Sequence, residues 1–164
     1  MLIMVAGALL PAEDHVVFLI PAAFRGEVAL ACDEGYANPL PRDGHEIVLT
    51  VPPGGRLSTS DAPDKRWLAN ADFYLVDAAG HRLRQLRPLD DAAFDRNLRP
   101  TETRAEGDRQ EVGVFPTGLY YKRPRGASDE ATPPGSFPPK EVPYLAFTVS
   151  CYDSLETDLH KAAF

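Results

Sequence analysis

With 164 residues, a formal net charge of −7 and a pI near 5.0, the chain lacks the positive field that draws phosphate backbones or anionic lipids, so nucleic acid is excluded as an expected partner. A hydrophobic share of 44% and a charged share of 25% exclude general disorder. Sixteen prolines are about double the average usage of ~5%; proline breaks helix interiors and central strands, which favours many short elements joined by rigid turns.

Met1 to Leu10 is almost wholly apolar and ends at Pro11-Ala12-Glu13-Asp14. Such a run is too short to span a bilayer, so no transmembrane segment is expected. It does match the apolar region of a signal peptide, with Ala6-Gly7-Ala8 as a small-residue processing pattern, although no Lys or Arg occurs before Arg25. Residues 1–14 therefore read either as a signal-peptide remnant or as an unstructured N-terminus, and 15–164 as a single β domain.

Val16-Val17-Phe18-Leu19-Ile20, stopped by Pro21, predicts a buried strand. After a turn at Gly26, alternation places Val28, Leu30 and Cys32 on one face, and the two strands follow each other in hairpin-like succession. Asp33 to Gly44 is dense in turn residues. His45 to Val51 alternates again, with Ile47, Leu49 and Val51 opposed to Glu46, Val48 and Thr50, and Pro52-Pro53-Gly54-Gly55 ends it before a short strand at Arg56 to Ser60. Phe73 to Asp77 and His81 to Leu86 predict a hairpin about Ala78-Ala79-Gly80, with Gly80 suited to a positive φ.

From Arg87 to Gln110 the pattern gives way to charge and reads as a long loop, in which Leu89, Phe94 and Leu98 could anchor a helical turn or two. Val112 to Phe115, bent at Pro116-Thr117-Gly118 and continued by Leu119-Tyr120-Tyr121, resumes the strand pattern. A second loop, 124–140, is rich in Pro, Gly, Ser and Asp. Val142 to Tyr152 is the last strand, and Asp153-Ser154 can cap a short C-terminal helix carrying Leu155 and Leu159 on one face. The sum is a mainly β chain, an antiparallel β-sandwich or small barrel of about seven to nine short strands with a short C-terminal helix.

Chemistry is sparse. His15, His45, His81 and His160 are scattered singly, and Asp90, Asp91 and Asp95 lack the alternating ligands and central glycine of a calcium loop, so no metal is expected. No Gly-x-Ser-x-Gly elbow is present, and Gly54-Gly55 lacks the Lys-Ser/Thr that a phosphate-binding loop requires, so neither a catalytic residue nor a cofactor is assigned. Cys32 and Cys151 have two readings: a disulfide closing a long loop in an exported protein, or two buried thiols in a cytosolic one. The candidate partner-binding residues are Tyr120, Tyr121, Lys122 and Arg123, a small basic and aromatic strip that also reads as an exposed strand end, and Trp67, which also reads as a core residue.

Phe18-Leu19-Ile20-Pro21, Phe24-Arg25-Gly26-Glu27-Val28, Pro52-Pro53-Gly54-Gly55-Arg56-Leu57-Ser58-Thr59 and Tyr74-Leu75-Val76-Asp77-Ala78-Ala79-Gly80 follow one another in an order that resembles a bacterial family of domains of unknown function, carried by small exported or lipid-anchored proteins. Tyr144 to Val149, followed by Asp153 and Leu155, is similar to that family's closing segment. The chain departs from it in having Ser150-Cys151 where a glycine is expected and in showing no lipobox cysteine near Met1. The resemblance implies a β domain and export, and it brings no catalytic residues. The resulting expectation is a non-enzymatic, exported or envelope-associated binding module with a protein partner. The alternatives are a cytosolic partner protein, such as a toxin-neutralising one, and a hydrolase whose site assembles only in three dimensions.

Overall fold

The computed structural model describes residues 14–64, 66–89, 106–122, 141–155 and 157–158. In chain order the elements are β1 (His15–Pro21), β2 (Gly26–Ala31), β3 (Arg42–Asp43), β4 (Glu46–Thr50), β5 (Arg56–Ser58), α1 (Arg66–Ala69), β6 (Ala71–Val76), β7 (Arg82–Leu86), α2 (Glu106–Gln110), β8 (Gly113–Lys122) and β9 (Val142–Ser150). The strands form a five-stranded sheet in the order β3-β4-β1-β6-β7 and a four-stranded sheet in the order β5-β2-β9-β8. The expected mainly β sandwich is the architecture found, and neither sheet closes into a barrel.

Its strand pairing is mixed rather than purely antiparallel. β1 runs parallel to both β4 and β6, and β2 runs parallel to β5, whereas β3-β4, β6-β7, β2-β9 and β8-β9 are antiparallel. The hairpin-like succession of β1 and β2 is likewise corrected: the two strands enter different sheets and meet across the core instead of along a ladder. The physical reason lies in the side chains of β1. Val16, Phe18 and Ile20 fill the core while Val17 is buried on the opposite face, a nearly continuous apolar run suited to a central strand between parallel neighbours.

Val28, Leu30 and Cys32 share the core-facing side of the β2 segment, and Ile47, Leu49 and Val51 do the same for β4, as their alternation predicts. Phe18 stacks on Phe73 with ring centroids 5.4 Å apart, and Phe147 of the opposite sheet meets both edge-on at 4.8 and 4.9 Å. Each such aromatic pair is worth about 0.5–1.5 kcal/mol beyond area burial, so the trio fastens the two sheets together.

The β6-β7 hairpin forms as expected, with Gly80 at φ 86°. Asp77 shapes the turn by accepting hydrogen bonds from the backbone N–H groups of Ala79 and His81, each at 2.9 Å. The His81 backbone and ring, helped by Ala79 and Gly80, hold its carboxyl below the usual carboxylate range against a small burial effect. α1 and α2 are single turns that the strand pattern did not announce, and α2 falls within the stretch read as a loop. At the C-terminus the Asp158 N–H bonds to the Ser154 carbonyl at 2.9 Å, a helical spacing, while Leu159 and His160 lie outside the described residues.

Candidate binding surface

The register of the four-stranded sheet sorts its outer face into two ends. Gly113, Phe115, Thr148 and Ser150 lie toward one end of β8 and β9, and Tyr120, Lys122 and Tyr144 toward the other, with Gly118 and Ala146 between them. On β2, Glu27 is level with Thr148, Ala29 with Ala146 and Ala31 with Tyr144.

At the first end the chain covers its own sheet. Phe115 packs edge-on against Tyr152 at 5.1 Å, and Leu89 and Leu155 complete a small second core. Gly113 is required there, because a Cβ would lie 2.5 Å from Leu89 Cγ and 2.9 Å from the Arg87 carbonyl oxygen. Ser150 Oγ donates to Asp158 Oδ2 at 2.6 Å, with Asp158 only 3% exposed. This bond tethers the C-terminal segment to β9.

The other end is aromatic. Tyr120 and Tyr144 are cross-strand partners whose rings stack with centroids 5.5 Å apart and planes 11° from parallel. The Tyr120 hydroxyl donates to Glu27 Oε1 at 3.2 Å. Glu27 and Tyr120 stand on strands flanking β9, so this bond crosses β9, and the small residues Ala29, Ala146 and Gly118 leave room for the phenol to do so. Lys122 holds its ammonium 5.1 Å from the centre of the Tyr120 ring, a cation–π contact. Burial, then the charge of Glu27 and the hydrogen bond to it, raise the Tyr120 phenol well above its ordinary range, with Arg56 opposing the shift. Tyr120 is therefore a fixed proton donor, which argues against a phenolate nucleophile or base.

Tyr121 projects from the opposite side of β8 and is 59% exposed. Tyr36 is 86% exposed, and its phenol is raised first by a hydrogen bond to Glu34 and more weakly by burial, by the Glu34 charge and by Tyr144; its loop leaves from the Pro143 end of β9, where the Cys32 N–H bonds to the Pro143 carbonyl. The loop carrying Tyr36 is fixed from the segment after β5. Asp33 N–H bonds to the Asp61 carbonyl at 2.8 Å, Glu34 N–H to the Thr59 carbonyl at 3.0 Å, and Asp61 Oδ2 accepts from Leu40 N–H at 2.8 Å. Four of the six tyrosines, Tyr36, Tyr120, Tyr121 and Tyr144, thus gather at one end of the sheet.

Of the residues expected from sequence to bind a partner, Tyr120, Tyr121 and Lys122 come together on β8, divided between its two faces. Trp67 does not join them: it is 5% exposed and packs in the main core. Arg123 lies outside the described residues. Glu27, Arg56 and Tyr144 were missed, because only the register of β2, β5, β8 and β9 reveals their proximity to Tyr120, and Tyr36 was missed because it stands on a loop that only the fold brings to this end.

The disulfide is corrected: Cys32 and Cys151 are free thiols. Cys32 N–H bonds to the Pro143 carbonyl at one end of β9, whereas Cys151 follows Ser150 at the other. The eight residues from Pro143 to Cys151 extend roughly 27 Å at about 3.4 Å each, far beyond the ~4.4–6.8 Å that a disulfide allows between Cα atoms. Burial raises the Cys32 thiol to about 11, opposed by a backbone hydrogen bond from Leu145. Among the described residues no group of three His, Cys, Asp or Glu side chains is placed to hold a metal ion, and no helix is long and apolar enough to cross a membrane.

No curated protein matches the sequence. Among solved structures, the chain is similar to a crystal structure of a Bacillus anthracis protein provisionally designated a lipoprotein, at 16% identity and a TM-score of 0.50, over 85% of this chain and 71% of that one. That likeness supports the fold. A family model described as a family of unknown function (DUF6843) matches residues 12–97, just over half of the chain, and the chain belongs to that family.

Proposed function

We propose that this chain is a non-enzymatic, exported or envelope-associated binding module whose contact surface is the tyrosine-bearing end of the four-stranded sheet. The observation that carries the reading is the exposure of Tyr36 and Tyr121 beside the stacked Tyr120–Tyr144 pair, with Arg56 and Lys122 at hand. Tyrosine and arginine are over-represented at the energetic centres of protein interfaces, because they bring large rigid area and a polar tip at low entropic cost. The surroundings are prepared for contact, since the Tyr36 loop is hydrogen-bonded to its neighbour and Tyr120 is held by Glu27.

Export is supported by the apolar Met1 to Leu10 run and by the lipoprotein designation of the structural neighbour. The same reading takes 15–164 as one domain. The test is site-specific photo-crosslinking in the source cells, with the crosslinker at position 36 or 144 and, as a control, at Leu83 on the other sheet. A discrete adduct from 36 and 144 but not from 83 is expected, with the protein accessible to protease added outside the cytoplasmic membrane. Equal adducts from all three positions, or none, would overturn the binding surface. Protection of the protein until the membrane is lysed would overturn export.

A further inference from the structure

We infer that the distal half of the β8 edge, Leu119 to Lys122, accepts an extended acidic segment of a protein partner as an added strand; this deepens the binding reading above and rests on it. Among the described residues β8 is an edge strand. The Val114 N–H bonds to the Arg87 carbonyl at 3.1 Å and the Val114 carbonyl accepts from Leu89 N–H at 2.7 Å, so the backbone groups of Val114 point away from β9. Val114 pairs with Val149, and Leu119 and Tyr121 pair with Leu145 and Pro143, all on the set of β9 residues that turn toward β2, as the Pro143 carbonyl does in bonding Cys32. Leu119 and Tyr121 therefore also direct their N–H and C=O groups outward.

The chain itself demonstrates that this edge pairs, because Pro88 forms a parallel bridge with Val114. That pairing cannot run on unbroken. Pro116 takes the next outward position with no N–H to offer, and a bulge between Pro116 and Gly118 follows. Beyond the bulge the outward groups return, beside a Tyr121 side chain that is 59% exposed.

Charge selects the occupant. Lys122 is the sole charged residue of β8, in a chain of net charge −7. A lysine on an edge strand is a device against indiscriminate pairing, and the strand it admits is one that brings a carboxylate. A second copy of β8 would bring another lysine instead.

The test is an NMR titration of the isotopically labelled full chain with two short synthetic peptides, one alternating Val with Glu and one alternating Val with Lys. The Glu peptide is expected to shift the Leu119 and Tyr121 amides saturably, to lose affinity at high salt, and to bind at least about tenfold more weakly to Tyr121→Pro. That variant removes an outward donor without removing a bond to β9, and Tyr121→Val, which keeps the donor and loses only the exposed ring, is expected to bind more tightly than Tyr121→Pro. No shift with the Glu peptide, equal binding of both peptides, unchanged binding by Tyr121→Pro, or self-association through Leu119 and Tyr121 would each overturn strand addition. If adducts at positions 36 and 144 survive while the peptide fails, strand addition alone falls; if both fail, the binding reading falls with it.

Discussion

At the Ser150 end of the four-stranded sheet, the outer face is closed by Leu89, Tyr152 and Leu155 and tied down by Asp158. At the Tyr144 end the same face carries a stacked tyrosine pair and an ammonium, with the Tyr120 hydroxyl reaching back across β9 to Glu27 and exposed tyrosines beside them. Both ends bury small residues beneath large ones, yet only the first is finished with apolar contacts. Aromatic content alone therefore does not mark a core: Phe115 has apolar neighbours above it, while Tyr120 has polar partners that orient it. One end should therefore answer to substitution mainly in stability and the other mainly in recognition.

The largest effect is expected for Phe115→Ala, which empties the centre of the closed end. Loss of that buried ring should cost about 3–5 kcal/mol in urea or guanidinium unfolding. Tyr144→Ala at the open end should cost clearly less and abolish the adduct at position 36. Equal losses of stability would break the distinction between the ends.

Asp158→Ala comes next. It leaves the buried Ser150 hydroxyl only the Cys151 carbonyl, at 3.1 Å, as acceptor and releases the C-terminal segment, at an expected cost of about 1–3 kcal/mol. Asp158→Asn keeps an acceptor for that hydroxyl and should recover part of the loss. If Ala and Asn behave alike, the hydrogen bond is not what holds the segment.

Tyr120→Phe should be milder, about 0.5–1.5 kcal/mol for one hydrogen bond that is long, at 3.2 Å, and only partly shielded from solvent. It also carries a pH signature. The folded-state pKa of this phenol lies above its unfolded value, so its contribution is fully present below the ordinary phenol pKa of about 10 and is lost as pH rises through the folded value. Melting curves taken upward from pH 9 or so should show the wild type losing its advantage over Tyr120→Phe, and parallel curves would contradict the burial and the Glu27 contact that together raise the phenol.

Much of this was legible in the sequence, for reasons the residues make clear. Ile47, Leu49 and Val51 alternate in a strand exposed on one face, and Asp77 to Gly80 has the chemistry of a tight turn, so local pattern sufficed for β4 and for the β6-β7 hairpin. Pairing was not legible. Nothing local tells β1 to run parallel to β4 and β6 rather than antiparallel to β2, because that choice is made by the side chains on its two faces and their distant partners. The site divides the same way. Tyr120, Tyr121 and Lys122 are adjacent in sequence and could be named from it, whereas Glu27 and Tyr144 reach Tyr120 only through the registers of β2 and β8 against β9. Cys32 and Cys151 show the converse: a plausible pair by count, set at opposite ends of one strand by register.

The smallest expected effect is the sharpest test of how the closed end is finished. Thr148 lies on the outer face between Glu27 and Phe115, is 1% exposed, and its Oγ1 finds no hydrogen-bond partner among the described residues. An unpaired buried hydroxyl carries its desolvation cost with no return, and replacing it by a methyl of similar shape removes that cost. Thr148→Val should therefore leave the melting temperature unchanged or raise it, where most buried substitutions lower it. Valine also suits the extended backbone of β9, so propensity does not work against the change. A clear loss of stability in Thr148→Val would mean that the hydroxyl is satisfied by a bound water, and that the closed end of the sheet is less dry than its apolar cover of Phe115, Tyr152 and Leu155 implies.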